Sequence, residues 1–176
     1  MRRMYGDEKL VMAVRDHLLG HLLHVTDYAH LESIERHGLV SQRRAQELGI
    51  APSYPGGNDL SRSLDVARGL SDMVFLSFYN LGVMPNHDDA RYRRPILLKV
   101  DASVLMWPGV KVALGRANRS RTMIYKPARA FYEMDWDVIL GDVDPNHPGG
   151  LARVLEARDY EVLVPDCVPV EYIGLA

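Results

Sequence analysis

The chain has 176 residues, 47% of them hydrophobic and 25% charged, which fits one domain with a real core and leaves little room for two. A net charge of −2 and a pI near 6.4 exclude duplex nucleic-acid binding driven by overall positive charge. Cys167 is the single cysteine, so a disulfide framework and a thiolate zinc site are excluded and a reducing cytoplasm is the default compartment.

From the N-terminus, Lys9 to Leu19 predicts a short amphipathic helix with Leu10, Val14 and Leu18 on one side and Gly20 as its stop. Arg15, Asp16 and His17 interrupt it, so it reads neither as a signal peptide nor as a membrane span. Leu22 to Thr26 has strand character. Asp27 is placed to cap a helix carrying Leu31 and Ile34, which Gly38 ends. Ser41 to Leu48 is a polar helix or loop. Ile50 to Leu60, with Pro52, Pro55, Gly56, Gly57 and Asn58, is loop chemistry of the kind that covers a site. Met73 to Tyr79, Pro95 to Val100 and Val110 to Leu114 read as short buried strands. Pro127 to Leu140 is helical in part, Gly141 to Gly150 is a turn-rich loop, and Leu151 to Arg158 is a short helix. Tyr160 to Val164 and Val170 to Leu175 close the chain as strands around a proline-flanked turn. This order predicts an α+β domain over residues 1–176. Without strict βα alternation or a glycine-rich phosphate loop, Rossmann and P-loop folds are disfavoured.

Glu161 stands in an apolar run, where an unpartnered carboxylate is costly, so it is either at an exposed strand end or functional. His24 and Thr26 alternate onto one face of the early strand. If the two strands meet, these three side chains form a polar cleft suited to a ribose and to positive charge at its anomeric carbon. A satisfied core histidine and a strand-end glutamate remain the alternative on residue types alone. His17, His21 and His24 have helical spacing, but Gly20 breaks the face and no carboxylate completes a metal set. His87-Asp88-Asp89 reads as a solvated turn, and no Gly-x-Ser-x-Gly elbow marks a serine nucleophile. Arginines cluster at Arg43-Arg44, at Arg91, Arg93 and Arg94, and at Arg116, Arg119 and Arg121, giving either a local basic groove or an ordinary solvated surface.

Leu23-His24-Val25-Thr26-Asp27, Arg36-His37-Gly38-Leu39, Arg62-Ser63-Leu64-Asp65, Asp72 to Phe78, Met134-Asp135-Trp136-Asp137 and Tyr160 to Val164 with Val168-Pro169 follow one another along the chain. Their order resembles that of the DarT family of bacterial ADP-ribosyltransferase toxins. The first is similar to that family's early Tyr-His-(Ile/Phe)-Thr-His run, the second to its His-Gly-Leu helix end, and the others to its later segments. Tyr79 to Met84 departs from the family's Arg-Ser-Pro-Met, and residues 1–20 look like an added N-terminal helix.

The resemblance implies a split mixed or antiparallel sheet flanked by helices, with NAD as co-substrate, no metal and no membrane. It implies that His24 and Thr26 hold the nicotinamide-side ribose or amide, and that Arg62 meets the diphosphate or the developing charge. Phe78 or Tyr79 would stack on nicotinamide, and Asn58 with its glycine loop would close over the adenosine side. Glu161 would bind the ribose 2′-hydroxyl and stabilise an oxocarbenium-like transition state, while Gly141 to Arg158 presents the acceptor. The implied acceptor is a base of single-stranded DNA, with RNA, protein or a small molecule as alternatives and an inactive binding module as a further one. A toxin of this kind implies a macrodomain-type antitoxin as partner.

Overall fold

The computed structural model describes residues 6–18, 20–51, 59–78 and 93–175. Helix α1 (Gly6–His17) begins earlier than its apolar spacing predicts, and its Leu10 and Val14 are fully buried. It packs on the later helix α5 (Pro127–Glu133) and on the 3₁₀ turn Ala102–Met106. The helix is thus built into the core of this chain. Leu10→Ala is expected to cost about 3 kcal/mol by leaving a cavity in the main core, measured as a shift in the urea midpoint.

Strand β1 (His21–Asp27) follows Gly20, which takes the left-handed conformation at φ 79°. Asp27 does not cap the α-helix that follows. It caps the 3₁₀ turn Tyr28–His30 through Ala29 N–H at 2.9 Å, and its other oxygen accepts from the amides of Arg93 and Arg94, both at 2.8 Å. Burial pushes this carboxyl up, but the three amide bonds outweigh that and hold it below its ordinary value. Helix α2 (Leu31–His37) ends where expected, at Gly38, whose φ of 74° and ψ of −170° suit glycine almost alone. β2 (Leu39–Val40) and α3 (Gln42–Glu47, capped by Ser41) follow; then come α4 (Asp59–Ala67) and β3 (Met73–Ser77).

The second half supplies β4 (Pro95–Asp101), β5 (Lys111–Ala113), β6 (Ile124–Tyr125), α5, α6 (Trp136–Ile139) and α7 (Gly150–Ala157). It ends with β7 (Glu161–Pro165), β8 (Cys167–Val168) and β9 (Ile173–Leu175). The strand expected from Val170 begins only at Ile173, because Val170–Tyr172 turn as a 3₁₀ helix.

The strands form a seven-stranded sheet in the order β6-β5-β7-β3-β1-β4-β9 and a two-stranded sheet of β2 and β8, with every pairing antiparallel. One face of the large sheet carries Leu22, Leu76, Leu98, Val100, Val162 and Val164 into the main core. The other face carries a smaller cluster built on Met73, Leu163 and Ala113, joined by Leu70 and Ala117. Among the described residues no helix is long and apolar enough to cross a membrane.

Candidate active site

The middle of the sheet brings the two ends of the chain together across β3. Register aligns Leu23 with Ser77, Ser77 with Glu161, and Glu161 with Ala113. Directly paired residues share a face, so Glu161 stands on the face of the smaller cluster. His24 and Thr26, one residue out of step with Leu23, fall on the main-core face with Leu98 and Ile96. The expected single cleft lined by all three side chains therefore does not form by strand alternation. The sequence fixes each strand's alternation but not the register that relates two strands through a third.

His24 instead reaches sideways to β3. β1 and β3 register only at Leu23 and Ser77, and the His24 Nδ1–H donates to the Phe75 carbonyl at 2.9 Å. A carbonyl only accepts, so the proton is on Nδ1 and Nε2 is left as an acceptor. Burial lowers the His24 pKa, which keeps the ring neutral near pH 7. Thr26 is buried and its hydroxyl shares a 2.9 Å hydrogen bond with His30 Nδ1. Phe78 is 2% exposed within the main core, so the expected stacking on a ligand is closed to it. Asn58 and Tyr79 lie outside the described residues, and Arg62 lies within α4, one turn before Asp65.

Glu161 begins β7 with its Oε2 accepting from Ala117 N–H at 2.7 Å. Burial raises its pKa to about 7; the Ala117 bond opposes this, the Asp65 and Asp159 charges add to it, and Arg116 opposes it. Asp65 comes from α4. Burial raises its pKa too, and although its carboxyl bonds Asn118, Oδ1 is buried with no hydrogen-bond partner. Asp159 is ion-paired to Arg116 at 3.2 Å and to Arg119 at 3.4 Å. Arg68, just beyond α4, donates to the Arg119 carbonyl and ties the helix end to the β5–β6 loop. The result is a carboxylate poised between its two protonation states at neutral pH, able to accept a proton or to face a developing cation.

Sequence reasoning passed over two of these groups. Ala117 acts through its backbone amide, which no side-chain pattern reveals. Asp65 was in view as the last residue of Arg62-Ser63-Leu64-Asp65, but only folding sets it beside Glu161. The Met134-Asp135-Trp136-Asp137 motif turns out to be an anchor. Asp135 accepts two hydrogen bonds from Arg153 at 2.8 and 2.7 Å and Asp137 accepts one at 3.2 Å, fixing α7 just before Glu161. Trp136 Nε1–H is bound to the Phe131 carbonyl at 2.7 Å. Among the described residues, no group of histidine, cysteine, aspartate and glutamate side chains is disposed to hold a metal ion.

The family model described as "DarT: ssDNA thymidine ADP-ribosyltransferase" matches residues 23–174. The fold is similar to Thermus sp. 2.9 DarT in complex with ADP-ribosylated ssDNA, with a TM-score of 0.61, 15% identity, and 85% of this chain and 77% of that one covered. The same Thermus protein in complex with NAD+ gives 0.59 at 16% identity, covering 88% and 79%. Thermosipho africanus DarTG in complex with ADP-ribose gives 0.58 at 18% identity; 88% of this chain is covered, and it spans only 42% of that one. Among curated proteins none matches the chain in sequence.

Proposed function

Since the chain belongs to the DarT family, we propose that it transfers ADP-ribose from NAD to thymidine in single-stranded DNA, with Glu161 as the catalytic carboxylate. The observation that carries this reading is the half-buried, desolvated Glu161 carboxylate, held by the Ala117 amide at the start of the interior strand β7.

In the proposed reaction the bond between nicotinamide and ribose C1′ breaks, and the electron pair leaves with neutral nicotinamide. Ionised Glu161 stabilises the positive charge that develops at C1′. Thymine in a nucleoside has a single ring N–H. Its nitrogen forms the new bond to C1′, and its proton passes to a carboxylate at the site and then to water. Only an unpaired base exposes that edge, which accounts for a single-stranded substrate. His24, which reaches sideways to β3, accepts a hydrogen bond from NAD through Nε2, with Thr26 and His30 behind it. Arg62 of α4 meets the diphosphate. We assign the reaction to the cytoplasm and to a toxin whose partner is a macrodomain-type antitoxin that removes the modification; the DarTG protein of Thermosipho africanus, found with ADP-ribose, supports that reading.

The test is labelled NAD with single-stranded DNA and RNA oligonucleotides. A mass gain of one ADP-ribose on thymidine-containing DNA is expected. Nicotinamide release with no labelled polymer would overturn the acceptor, and no release would overturn the enzyme.

The site also sets a pH dependence. Glu161 works ionised, so the rate of transfer should rise through about pH 7 and level off above it. Asp65→Asn removes a negative charge that raises the Glu161 pKa, so the acid limb should move to lower pH. An unmoved limb in the pH profile of nicotinamide release would show that Asp65 does not act on Glu161.

A further inference from the structure

Three arginine clusters exist in the sequence, and the fold treats them differently. Arg43 and Arg44 are committed to Glu47, and Arg43 also to Asp72. Arg94 stacks on the Tyr28 ring at 4.3 Å. The third cluster joins Arg158, beyond the end of α7, around a cavity of about 570 Å³. Arg116, Arg119, Arg121 and Arg158 line it against only two carboxylates, Glu156 and Asp159, which leaves an excess of positive charge. Asp159 is shared by Arg116 and Arg119, while Arg121 and Arg158 make no ion pair among the described residues. Leu114 and Leu155 supply an apolar part of the wall.

The loop that carries three of these arginines is internally braced. Thr122 donates its hydroxyl to the Arg116 carbonyl at 2.7 Å, and the amides of Arg119 and Thr122 bond back to Arg116 and Arg119 at 3.0 and 3.1 Å. A cavity held open by its own backbone bonds needs little ordering when a ligand enters. Its position is equally telling. Ala117 of the same loop donates to Glu161, and Asp159 in the cavity wall lies two residues before Glu161. β7 has β3 on one side and β5 on the other, and the cavity lies at the end of β5, away from the β1 and β3 side assigned to NAD.

We propose that this cavity is a phosphodiester subsite, in which Arg121 and Arg158 hold the sugar–phosphate backbone of the DNA strand beside the thymidine presented to Glu161. Guanidinium forks match phosphate oxygens, and Leu114 and Leu155 offer a surface for the neighbouring base. The assignment rests on the DNA-modifying reading above and adds the place where the strand lies.

The test compares wild type with the Arg121→Gln/Arg158→Gln double variant, using an oligothymidine and NAD as the two varied substrates. The KM for oligothymidine should rise about ten-fold or more, with the KM for NAD as the internal comparison. Oligothymidine binding, followed by fluorescence anisotropy across a salt series, should lose about 1.4 from the slope of log K against log salt, the share of two phosphate contacts on a single strand. An unchanged KM for oligothymidine and an unchanged slope would overturn the subsite, as would a rise confined to the KM for NAD, which would reassign the cavity to the cofactor diphosphate. Failure of wild type to modify the oligonucleotide at all would instead overturn the reaction on which the subsite depends.

Discussion

Glu161→Gln is expected to lower ADP-ribose transfer ~10²–10³-fold while making the fold more stable above pH 7, by up to about 3 kcal/mol. Glutamine keeps the shape and can still accept from Ala117 N–H, but it can neither carry charge toward C1′ nor take a proton. The stability gain follows from linkage. The Glu161 pKa rises from an ordinary 4.5 to about 7 on folding, chiefly through burial. The folded state therefore retains a proton that the unfolded state has already released, and the wild-type protein loses stability as pH climbs from about 4.5 to 7. Below that window both forms of the residue are neutral, so wild type and variant should melt alike; above it the difference should be constant. Denaturant titrations at pH 4.5, 6 and 8 measure it. A variant equally destabilised at all three values would mean that the carboxylate is structural and that its burial costs the protein nothing.

Gly38→Ala is expected to destabilise the protein by about 4 kcal/mol or more, without touching any group assigned to the reaction. A Cβ at this position would stand 2.2 Å from the Val168 carbonyl oxygen and 3.1 Å from the Pro169 Cα, both backbone atoms, and the backbone angles themselves exclude most side chains. Those atoms belong to β8 and the residue after it, and β8 pairs with β2 directly beyond Gly38. The glycine of the His37-Gly38-Leu39 segment thus lets α2 end against the last part of the chain. Loss of the folded baseline in a thermal melt, or a sharp fall in soluble yield, is the expected readout, and a melting temperature within a degree of wild type would refute it.

Much of this architecture is readable in the sequence because its signals are local. The Leu10 and Val14 stripe, the Gly38 stop and the apolar runs of β3, β4 and β7 each declare themselves within a few residues. The oddity of a glutamate opening an apolar strand is just as local, and it led directly to Glu161. What stayed hidden depends on partners. β2, β6 and β8 are two residues long and exist only because another strand pairs with them. His24 and Thr26 were rightly placed on one face of one strand, yet that face is the core side, while Glu161 looks to the other through the Ser77 register. Phe78 read as a stacking aromatic because its burial depends on which side of β3 the main core occupies.

The strand order carries a consequence for how the protein is made. β7 is the piece that joins the β5–β6 hairpin to β3, β1, β4 and β9, and its partners in both directions are made long before it. Synthesis from the N-terminus makes β3 and β5 before the strand that lies between them, and Glu161 arrives in that strand. Pairing across such long sequence separations is a slow kind of folding step. The same insertion brings the Glu161 carboxylate, to which we assign the catalysis, to the waiting Ala117 amide. A chain lacking that strand lacks Glu161, so the proposed chemistry has no carboxylate until β7 is in place.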